Sequence, residues 1–313
     1  METGDTVADA GEFGLIAEIS AAQGTAEHVL IGPGDDAAHL SVVDGTYLVS
    51  TDLLIEGRHF RRDWSSAYEV GRKAAAVNLS DIAAMGGVAR SLTVGFGVPG
   101  ILPMGWVRDF NRGLVEEASH VGAVIVGGDV TASDQIVIAV TVMGEAHRPV
   151  IRGGAMPGDV VAFAGRLGWA GAGFAALSRG FRSPKAVVEA HRLPHPPYAA
   201  GPQASNAGAT SMIDVSDGLL GDLGHIARAS GVAINLESGL LEIAAPVATV
   251  GEALGVDPLT FLLSGGDDYA LVATFSSQTE LPTGWTRIGM VLDGEGVTVD
   301  GDTYPGESHQ HFR

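Results

Sequence analysis

The sequence contains no cysteine among its 313 residues. Disulfide bonds, thiolate nucleophiles and thiolate metal sites are therefore excluded. This composition is typical of proteins from a reducing compartment, so we expect a cytoplasmic protein. The first stretch, METGDTVADAGEFG, is acidic and polar. Because it lacks the basic and apolar regions of a secretory signal, we expect no such signal.

Positive charge is also scarce, since the chain has only two lysines, Lys73 and Lys185, and a formal net charge of -19. We do not expect an acidic chain without basic runs to bind nucleic acid. The apolar runs, such as DQIVIAVTVMG, have the length of strands. A membrane-spanning helix needs about 20 apolar residues, so we expect no membrane association.

Phosphate-binding motifs built around lysine are absent as well. The sequence contains no G-x-x-x-x-G-K-[ST] motif and no kinase-type glycine-rich loop with its strand lysine. If the protein binds a nucleoside triphosphate, metal ions, arginines and backbone N–H groups have to neutralise the phosphates. Lys73 lies in an alanine-rich helical stretch. There we expect either a solvated helix face or a phosphate contact.

The residues that are present suffice for two folded domains. Hydrophobic residues make up 46% of the chain and glycine occurs 45 times, which is typical of a globular protein with many tight turns. Helical and strand patterns alternate, and strands occur in hairpin-like pairs as well as crossovers, which favours an α+β fold with two mixed α/β domains. The stretch HRPVIRGGAMPGD interrupts the alternation. We therefore predict an N-terminal domain over residues 1–148 and a C-terminal α/β domain over residues 149–313.

Aspartates recur beside small residues near the ends of predicted strands. They are Asp35, Asp36, Asp52, Asp81, Asp129, Asp214, Asp217, Asp267 and Asp268. Any one of them could be a helix N-cap or an Asx turn, which needs a single acceptor. Three places hold two carboxylates within four residues. A hard cation such as Mg²⁺, which takes oxygen ligands, explains that clustering better than capping does.

Two other metals are alternatives. A calcium-binding EF-hand does not fit DVSDG, because its glycine stands at the fifth position and the later ligands are missing. A zinc site could use histidines of HRLPHPP or SHQHF, but neither stretch has the H-x-x-x-H spacing of a helical zinc site. The sequence therefore favours magnesium.

Seven motifs occur in an order that resembles the thiamine-monophosphate kinase family. They are GPGDDAA, STDLLIEGRHF, KAAAVNLSDIAAMGG, GGDVT, RGGAMPGD, IDVSDGLLGDLGHIA and SGGDDYAL. The likeness runs from about residue 11 to the final HF, nearly the whole chain. This family is similar in fold to aminoimidazole-ribonucleotide synthetase and selenophosphate synthetase.

The resemblance implies ATP-dependent phosphorylation of thiamine monophosphate to thiamine diphosphate, by direct in-line transfer assisted by several Mg²⁺ ions. No protein nucleophile is implied. By motif position, the implied metal ligands are Asp36, Ser50, Thr51, Asp52, Asp81, Asp129, Asp214 and Asp217. The implied ATP contacts are Gly128, Asp129, Arg152 and Ser216, and the implied substrate contacts are His59, Asp267 and His309. The resemblance also implies a homodimer in which the N-terminal sheets pair across a two-fold axis.

Two positions depart from the family pattern. The family has Gly-Gly-Glu-Asp-Tyr where this chain has Asp267, whose side chain is one methylene shorter. Near the C-terminus the family has an aromatic residue before xHF, and this chain has His309. Both departures concern the substrate pocket rather than the metal ligands.

Two other function classes compete with a kinase. An ATP-dependent synthetase of the same superfamily would activate an amide or selenide; selenophosphate synthesis is disfavoured because the chain has no cysteine, and the EGRHF and VNLSD matches disfavour purine ring closure. A non-catalytic protein that binds Ca²⁺ or a nucleotide would bind its ligand and form no product. Assays of ATP turnover and of thiamine diphosphate formation distinguish these classes from a kinase.

Overall fold

The structure is a computed structural model that describes residues 6–21, 26–31, 39–42 and 45–304. The chain divides into two compact units. Unit 1 comprises Met1–Ile82 with Val88–Glu145, and unit 2 comprises Ala83–Gly87 with Ala146–Arg313. The change of unit after Glu145 lies next to the boundary that we predict after residue 148.

Unit 1 is built around a four-stranded sheet. Its described helices are α1 (Val7–Ala21), α2 (Ala67–Ala84) and α3 (Met104–Ser119), and its described strands are β1 (Val29–Ile31), β2 (His39–Leu40), β3 (Leu48–Ile55), β4 (Val88–Val98), β5 (Val124–Ala132) and β6 (Val137–Glu145). The sheet has the order β3-β6-β4-β5, and β1 pairs with β2 separately. Strands β4 and β5 run parallel, and the other pairs are antiparallel.

One face of the four-stranded sheet is covered by helices. Every second residue of β6 is buried, as the period of two of a strand with one buried face requires. Phe96 of β4 stacks on Phe110 of α3 with ring centroids 4.9 Å apart. A Cβ at Gly71 of α2 would lie 1.9 Å from the carbonyl oxygen of Phe110. Glycine at this position therefore lets α2 and α3 pack backbone to backbone.

The other face of this sheet is open in the described part of the chain. Val49 and Leu53 of β3 are 61% and 53% exposed, and Tyr47 before the strand is also exposed. The intervening residues of β3 are partly or fully buried. The alternation therefore separates the side chains of β3 into one group that faces the helices and another that faces outwards.

Unit 2 holds a six-stranded sheet between helices. Its helices are α4 (Trp169–Ser178), α5 (Lys185–Arg192), α6 (Ala200–Ala207), α7 (Leu219–Ser230), a 3₁₀ helix (Ser238–Leu240), α8 (Ala245–Leu254) and α9 (Leu259–Ser264). Its strands are β7 (Val160–Ala164), β8 (Ser211–Asp214), β9 (Ala233–Leu236), β10 (Leu271–Phe275), β11 (Trp285–Leu292) and β12 (Gly296–Val299). The order is β12-β9-β11-β7-β10-β8, and of these pairs β12–β9 is parallel.

Both faces of the six-stranded sheet are covered. One hydrophobic cluster includes Leu219, Leu223 and Ile226 of α7, and a second includes Ala204 of α6 and Phe275 of β10. All five residues of β10 are buried, as expected for a strand with apolar layers on both sides. The predicted α+β class with two mixed α/β units is confirmed. No helix of the described residues is long and apolar enough to cross a membrane.

Candidate functional site

In unit 1, strand β3 and helix α2 bring two oxygen donors together. Ser50 Oγ donates a 2.6 Å hydrogen bond to Asp81 Oδ2, and both residues are partly buried. Asp81 lies inside α2, so it does not cap that helix. The hydrogen bond orients the Asp81 carboxylate and places the Ser50 hydroxyl beside it.

Asn78, one helical turn before Asp81, also connects α2 to β3. Its Oδ1 accepts a 3.0 Å hydrogen bond from the backbone N–H of Asp52, and its Nδ2 donates to the carbonyl of Ala74 at 2.9 Å. Asn78 is fully buried. Asn78 was not among the predicted site residues, although a lone amide in an apolar helical run is a signal that the sequence contains.

Thr51 lies on the other face of β3. Its hydroxyl is 2.9 Å from the hydroxyl of Thr141, while the neighbouring Ser50 and Asp52 face α2. The exposed Asp129 lies on the same outer face as Thr51, because Asp129, Gly95, Ala139 and Leu53 are in register across the four strands. The structure thus brings Ser50 and Asp81 together and separates the side chains of Thr51 and Asp129 from them.

Gly128 lies on β5, directly before Asp129, where β5 runs very close to β4. A Cβ at this position would lie 2.1 Å from the carbonyl oxygen of Val94. Only glycine fits here without moving the strand, so the GGD motif fixes the backbone that leads into Asp129.

His59 follows β3 in a turn that fixes its tautomer. Its Nδ1 accepts a 3.0 Å hydrogen bond from the backbone N–H of Ile55. The ring proton of the neutral imidazole is therefore on Nε2, which makes Nε2 a donor. A donor of this kind suits a phosphate oxygen.

Of the two alternatives predicted for Lys73, a solvated helix face or a phosphate contact, the solvated helix face is wrong. It is 3% exposed within α2, among alanines that are fully buried. Burial of a lysine requires a partner for its ammonium group, because an isolated buried charge is strongly unfavourable. The alanine-rich pattern predicted the helix correctly but did not show which face Lys73 occupies.

In unit 2, two loops lie side by side at the ends of neighbouring strands. Asp214 ends β8 and is buried, and the loop after it carries Ser216 and Asp217. The backbone N–H of Asp267 donates to the carbonyl of Ser216 at 2.8 Å, and that of Tyr269 donates to the carbonyl of Val215 at 2.9 Å. Four of the predicted site residues of unit 2 therefore lie on one pair of hydrogen-bonded loops: Asp214, Ser216, Asp217 and Asp267.

Asp222 supports the first of these loops from helix α7. Its carboxylate accepts a 3.1 Å hydrogen bond from the backbone N–H of Asp217. Burial raises the pKa of Asp222 to about 7, and the negative charge of Asp217 adds to that rise. Asp222 was not among the predicted site residues; the available signal was an acidic residue in the first turn of a predicted helix.

Arg152 lies in an exposed segment that α7 also holds in place. Ser230 Oγ donates to the carbonyl of Arg152 at 3.2 Å and accepts from the backbone N–H groups of Gly154 and Ala155 at 3.1 Å. The pKa of His225 is lowered mainly by burial, then by the charges of Arg228 and Arg152, while Asp217 opposes that shift. The charges of Arg152 and Asp217 thus shift the pKa of the His225 imidazole in opposite directions.

The pair Asp267 and Asp268 divides between two roles. Asp268 is buried and accepts hydrogen bonds from the backbone N–H groups of Gly168 and of Ala170, the latter at 2.8 Å, so it caps α4. Burial raises its pKa to about 7, and those N–H groups oppose the rise. Asp267 is partly exposed, and its Oδ1 accepts a 3.3 Å hydrogen bond from the hydroxyl of Tyr269. Asp268 therefore has a structural role, whereas Asp267 is partly exposed beside the loop that carries Ser216.

Two predicted site residues, Asp36 and His309, lie outside the described residues. Within residues 6–21, 26–31, 39–42 and 45–304, no three histidine, aspartate or glutamate side chains lie close enough to hold a metal ion alone. Mg²⁺ completes its octahedron with water and substrate phosphates, so one or two protein carboxylates suffice. The adjacent oxygens of Ser50 and Asp81 fit such a hard cation.

Comparison with known proteins supports one family. Residues 34–146 match the family AIR synthase related protein, N-terminal domain, and residues 156–301 match AIR synthase related protein, C-terminal domain. A curated thiamine-monophosphate kinase from Mycobacterium tuberculosis strain H37Rv is 45% identical over 305 residues, which cover 96% of this chain and 91% of that protein.

Solved structures give the same result. The thiamine-monophosphate kinase of Stenotrophomonas maltophilia K279a has a TM-score of 0.81 and 32% identity, covering 93% of this chain and 95% of that chain. A structure described as AaThiL complexed with AMPPCP and TMP has a TM-score of 0.82 and 32% identity, covering 99% of this chain and 100% of that chain. The chain belongs to the thiamine-monophosphate kinase family.

Proposed function

We infer that the protein transfers the γ-phosphoryl group of ATP to thiamine monophosphate, forming thiamine diphosphate and ADP. The observation that carries this function is the likeness to AaThiL complexed with AMPPCP and TMP, which spans 99% of this chain. AMPPCP is an ATP analogue in which a methylene group replaces the β–γ bridging oxygen. A chain with the same fold and family therefore acts on the same pair of substrates.

The acceptor determines what the protein has to do chemically. A phosphate monoester is largely ionised near neutral pH, since its second pKa is about 6. One of its oxygens attacks the γ-phosphorus of ATP, the bond to the β–γ bridging oxygen breaks, and ADP leaves. No general base is needed, so catalysis rests on positioning two anions and stabilising their charge.

Magnesium would supply positive charge on the phosphate oxygens. We assign its ligands in unit 1 to Asp36, to Ser50, Asp52 and Asp81 on the side of β3 towards α2, and to Thr51 and Asp129 on the outer face, where a separate ion would bind. In unit 2 we assign Asp214 and Asp217. The contact between Ser50 and Asp81 supports the first group, because it orients one carboxylate before any ligand arrives. In unit 2, Asp222 holds the backbone N–H of Asp217.

ATP would contact Gly128 and Asp129 in unit 1, and Arg152 and Ser216 in unit 2. Gly128 is exposed and has no side chain, so its backbone is accessible to a phosphate group. The guanidinium of Arg152 can bind phosphate oxygens bidentately. Ser230 anchors the Arg152 segment and thereby reduces the ordering that binding requires.

Thiamine monophosphate would contact His59, Asp267 and His309. Support for His59 comes from its Nδ1 contact with Ile55, which leaves the proton on Nε2. Support for Asp267 comes from its partly exposed carboxylate beside the Ser216 loop. His309 is assigned only by its position in the C-terminal motif.

We also propose a homodimer formed through the apolar residues of the open face of the unit 1 sheet, so that Thr51 and Asp129, which lie on the same face, would border the interface. Val49 and Leu53 are 61% and 53% exposed on that face. Apolar strand residues at such exposure favour burial against a second sheet. The cytoplasmic location remains a prediction from the composition.

The experiment that tests the function supplies purified protein with ATP, Mg²⁺ and thiamine monophosphate, and quantifies thiamine diphosphate by chromatography. We expect one thiamine diphosphate for each ADP. Thiamine and a formylglycinamidine ribonucleotide serve as control acceptors and should support no turnover. ATP turnover with the formylglycinamidine compound, or binding without product in a single-turnover assay, would overturn the proposal.

A further inference from the structure

His191 lies beside the Asp267 carboxylate in unit 2. It belongs to the last turn of α5 and is 8% exposed. Its Nδ1 is 3.7 Å from Asp267 Oδ2, a distance that corresponds to an electrostatic contact rather than a hydrogen bond. Its ring also contacts Phe174 of α4, with centroids 5.5 Å apart and planes tilted by 53°.

The position of His191 depends on how closely α5 approaches α4. A Cβ at Gly173 of α4 would lie 2.0 Å from the carbonyl oxygen of Val187 and 3.0 Å from Cβ of His191. Glycine therefore permits the backbone contact between the two helices. The N-terminus of the same helix α4 is capped by Asp268, the residue that follows Asp267. Helix α4 thus holds both His191 and the chain next to Asp267.

The backbone of Asp267 is held in an uncommon conformation. Its φ is 66°, and that of Tyr269 is 52°. Non-glycine residues rarely adopt a positive φ, and this conformation is less favourable for an aromatic residue than for an aspartate. The N–H groups of both residues are bonded to the loop that carries Ser216. Such strain is kept where the surroundings over-determine the conformation, often at a binding site.

The two oxygens of Asp267 have different neighbours. Oδ1 accepts a hydrogen bond from the Tyr269 hydroxyl, and Oδ2 faces Nδ1 of His191. We propose that His191 is a positioning residue: it fixes the orientation of the Asp267 carboxylate and so sets the affinity for thiamine monophosphate. This inference rests on the proposed function of Asp267 as a substrate contact. The aspartate side chain is short, so its orientation determines which ligand atoms it reaches.

The test replaces His191 by phenylalanine, which keeps the ring against Phe174 and removes both nitrogens. We expect the KM for thiamine monophosphate to rise about tenfold, equivalent to about 1.4 kcal/mol, while the KM for ATP stays within about twofold. His120 provides a matched control, because its Nδ1 is likewise 3.7 Å from a carboxylate, that of Glu117, but on the surface of unit 1. His120→Phe should change neither KM.

A double-mutant cycle distinguishes positioning from general packing. In an Asp267→Asn background, His191→Phe should cause no further rise in the KM for thiamine monophosphate, because it acts through that carboxylate. Additive effects of the two substitutions, or equal rises in both KM values, would overturn the inference. If His191→Phe does not fold, His191→Asn replaces it, and its amide nitrogen should retain part of the affinity.

The outcomes separate this inference from the proposed function. A wild-type protein that forms no thiamine diphosphate refutes the function itself. A wild-type protein that forms thiamine diphosphate, with an unchanged KM in folded His191→Phe, refutes only the positioning role of His191. An unchanged KM for thiamine monophosphate in Asp267→Asn refutes the positioning role of His191 as well, because the Asp267 carboxylate would then not contact the substrate.

Discussion

The hydroxyl of Ser50 donates a 2.6 Å hydrogen bond to the carboxylate of Asp81, across 31 positions of sequence. The contact joins the middle of β3 to the last turns of α2. Because a hydroxyl and a carboxylate are adjacent there, a hard cation would find two oxygen ligands already in place. This preorganisation is the physical basis on which we assign a metal role to that part of unit 1.

Asp81→Asn tests this assignment directly. The amide removes one negative charge and one acceptor oxygen, so we expect kcat at saturating Mg²⁺ and substrates to fall at least about 100-fold, as for loss of a group that stabilises transition-state charge. Asp109→Asn, an exposed aspartate of α3 paired with Arg112, is the matched control and should leave kcat unchanged. Near wild-type activity in Asp81→Asn would refute the metal role.

The adjacent glycines of the GGD motif provide a second test. A Cβ at Gly128 would lie 2.1 Å from the carbonyl oxygen of Val94, whereas a Cβ at Gly127 would come no closer than 3.9 Å to Thr93. Gly128→Ala should therefore destabilise the protein by about 1–3 kcal/mol and raise the KM for ATP. Gly127→Ala should do neither. Denaturant unfolding and steady-state kinetics measure both effects, and equal behaviour of the two variants would contradict the argument.

The buried Asp268 predicts how stability depends on pH. Burial raises its pKa from the ordinary value of 3.8 to about 7, so the folded protein binds this proton more tightly than the unfolded chain does. The protonated carboxyl group of Asp268 contributes its full stabilisation of the folded state below pH 3.8, and this stabilisation is lost as the pH rises through about 7. A pKa shift of this size corresponds to on the order of 4 kcal/mol in the free energy of unfolding.

The measurement compares wild type with Asp268→Asn, whose side chain does not titrate. Between pH 4.5 and 8, the free energy of unfolding of the wild type should fall relative to that of Asp268→Asn. The exposed Asp293→Asn serves as the control and should follow the wild type at every pH. Parallel curves for wild type and Asp268→Asn would show that the hydrogen bonds from Gly168 and Ala170 outweigh burial.

The open sheet face predicts the oligomeric state. Val49→Glu places a charge on a residue that is 61% exposed in the single chain, and burying that charge against a second sheet is unfavourable. Sedimentation velocity should show a dimer for the wild type and a monomer for Val49→Glu. Leu292→Glu alters an exposed apolar residue of unit 2 and should remain dimeric. A monomeric wild type would refute the proposed interface.

The amino-acid sequence by itself determined the family, the α+β class and the identity of the principal elements. The alanine-rich stretch around Lys73 predicted the helix that the structure shows as α2, and the alternating helical and strand patterns predicted the mixed α/β units. These features are local: the spacing of apolar residues, every two positions in a strand or every 3.6 in a helix, lies within one segment. The prediction of a helix or strand therefore does not depend on the rest of the chain. The motif order likewise follows from the sequence alone.

Only the tertiary structure decided which carboxylates face a ligand. Asp267 and Asp268 are adjacent in sequence, yet one is partly exposed and the other is buried at the N-terminus of a helix about 100 residues away. The contacts of Ser50 with Asp81 and of His191 with Asp267 also join distant segments. Such contacts depend on strand register and helix packing, which no local pattern encodes, because each is set by two segments together.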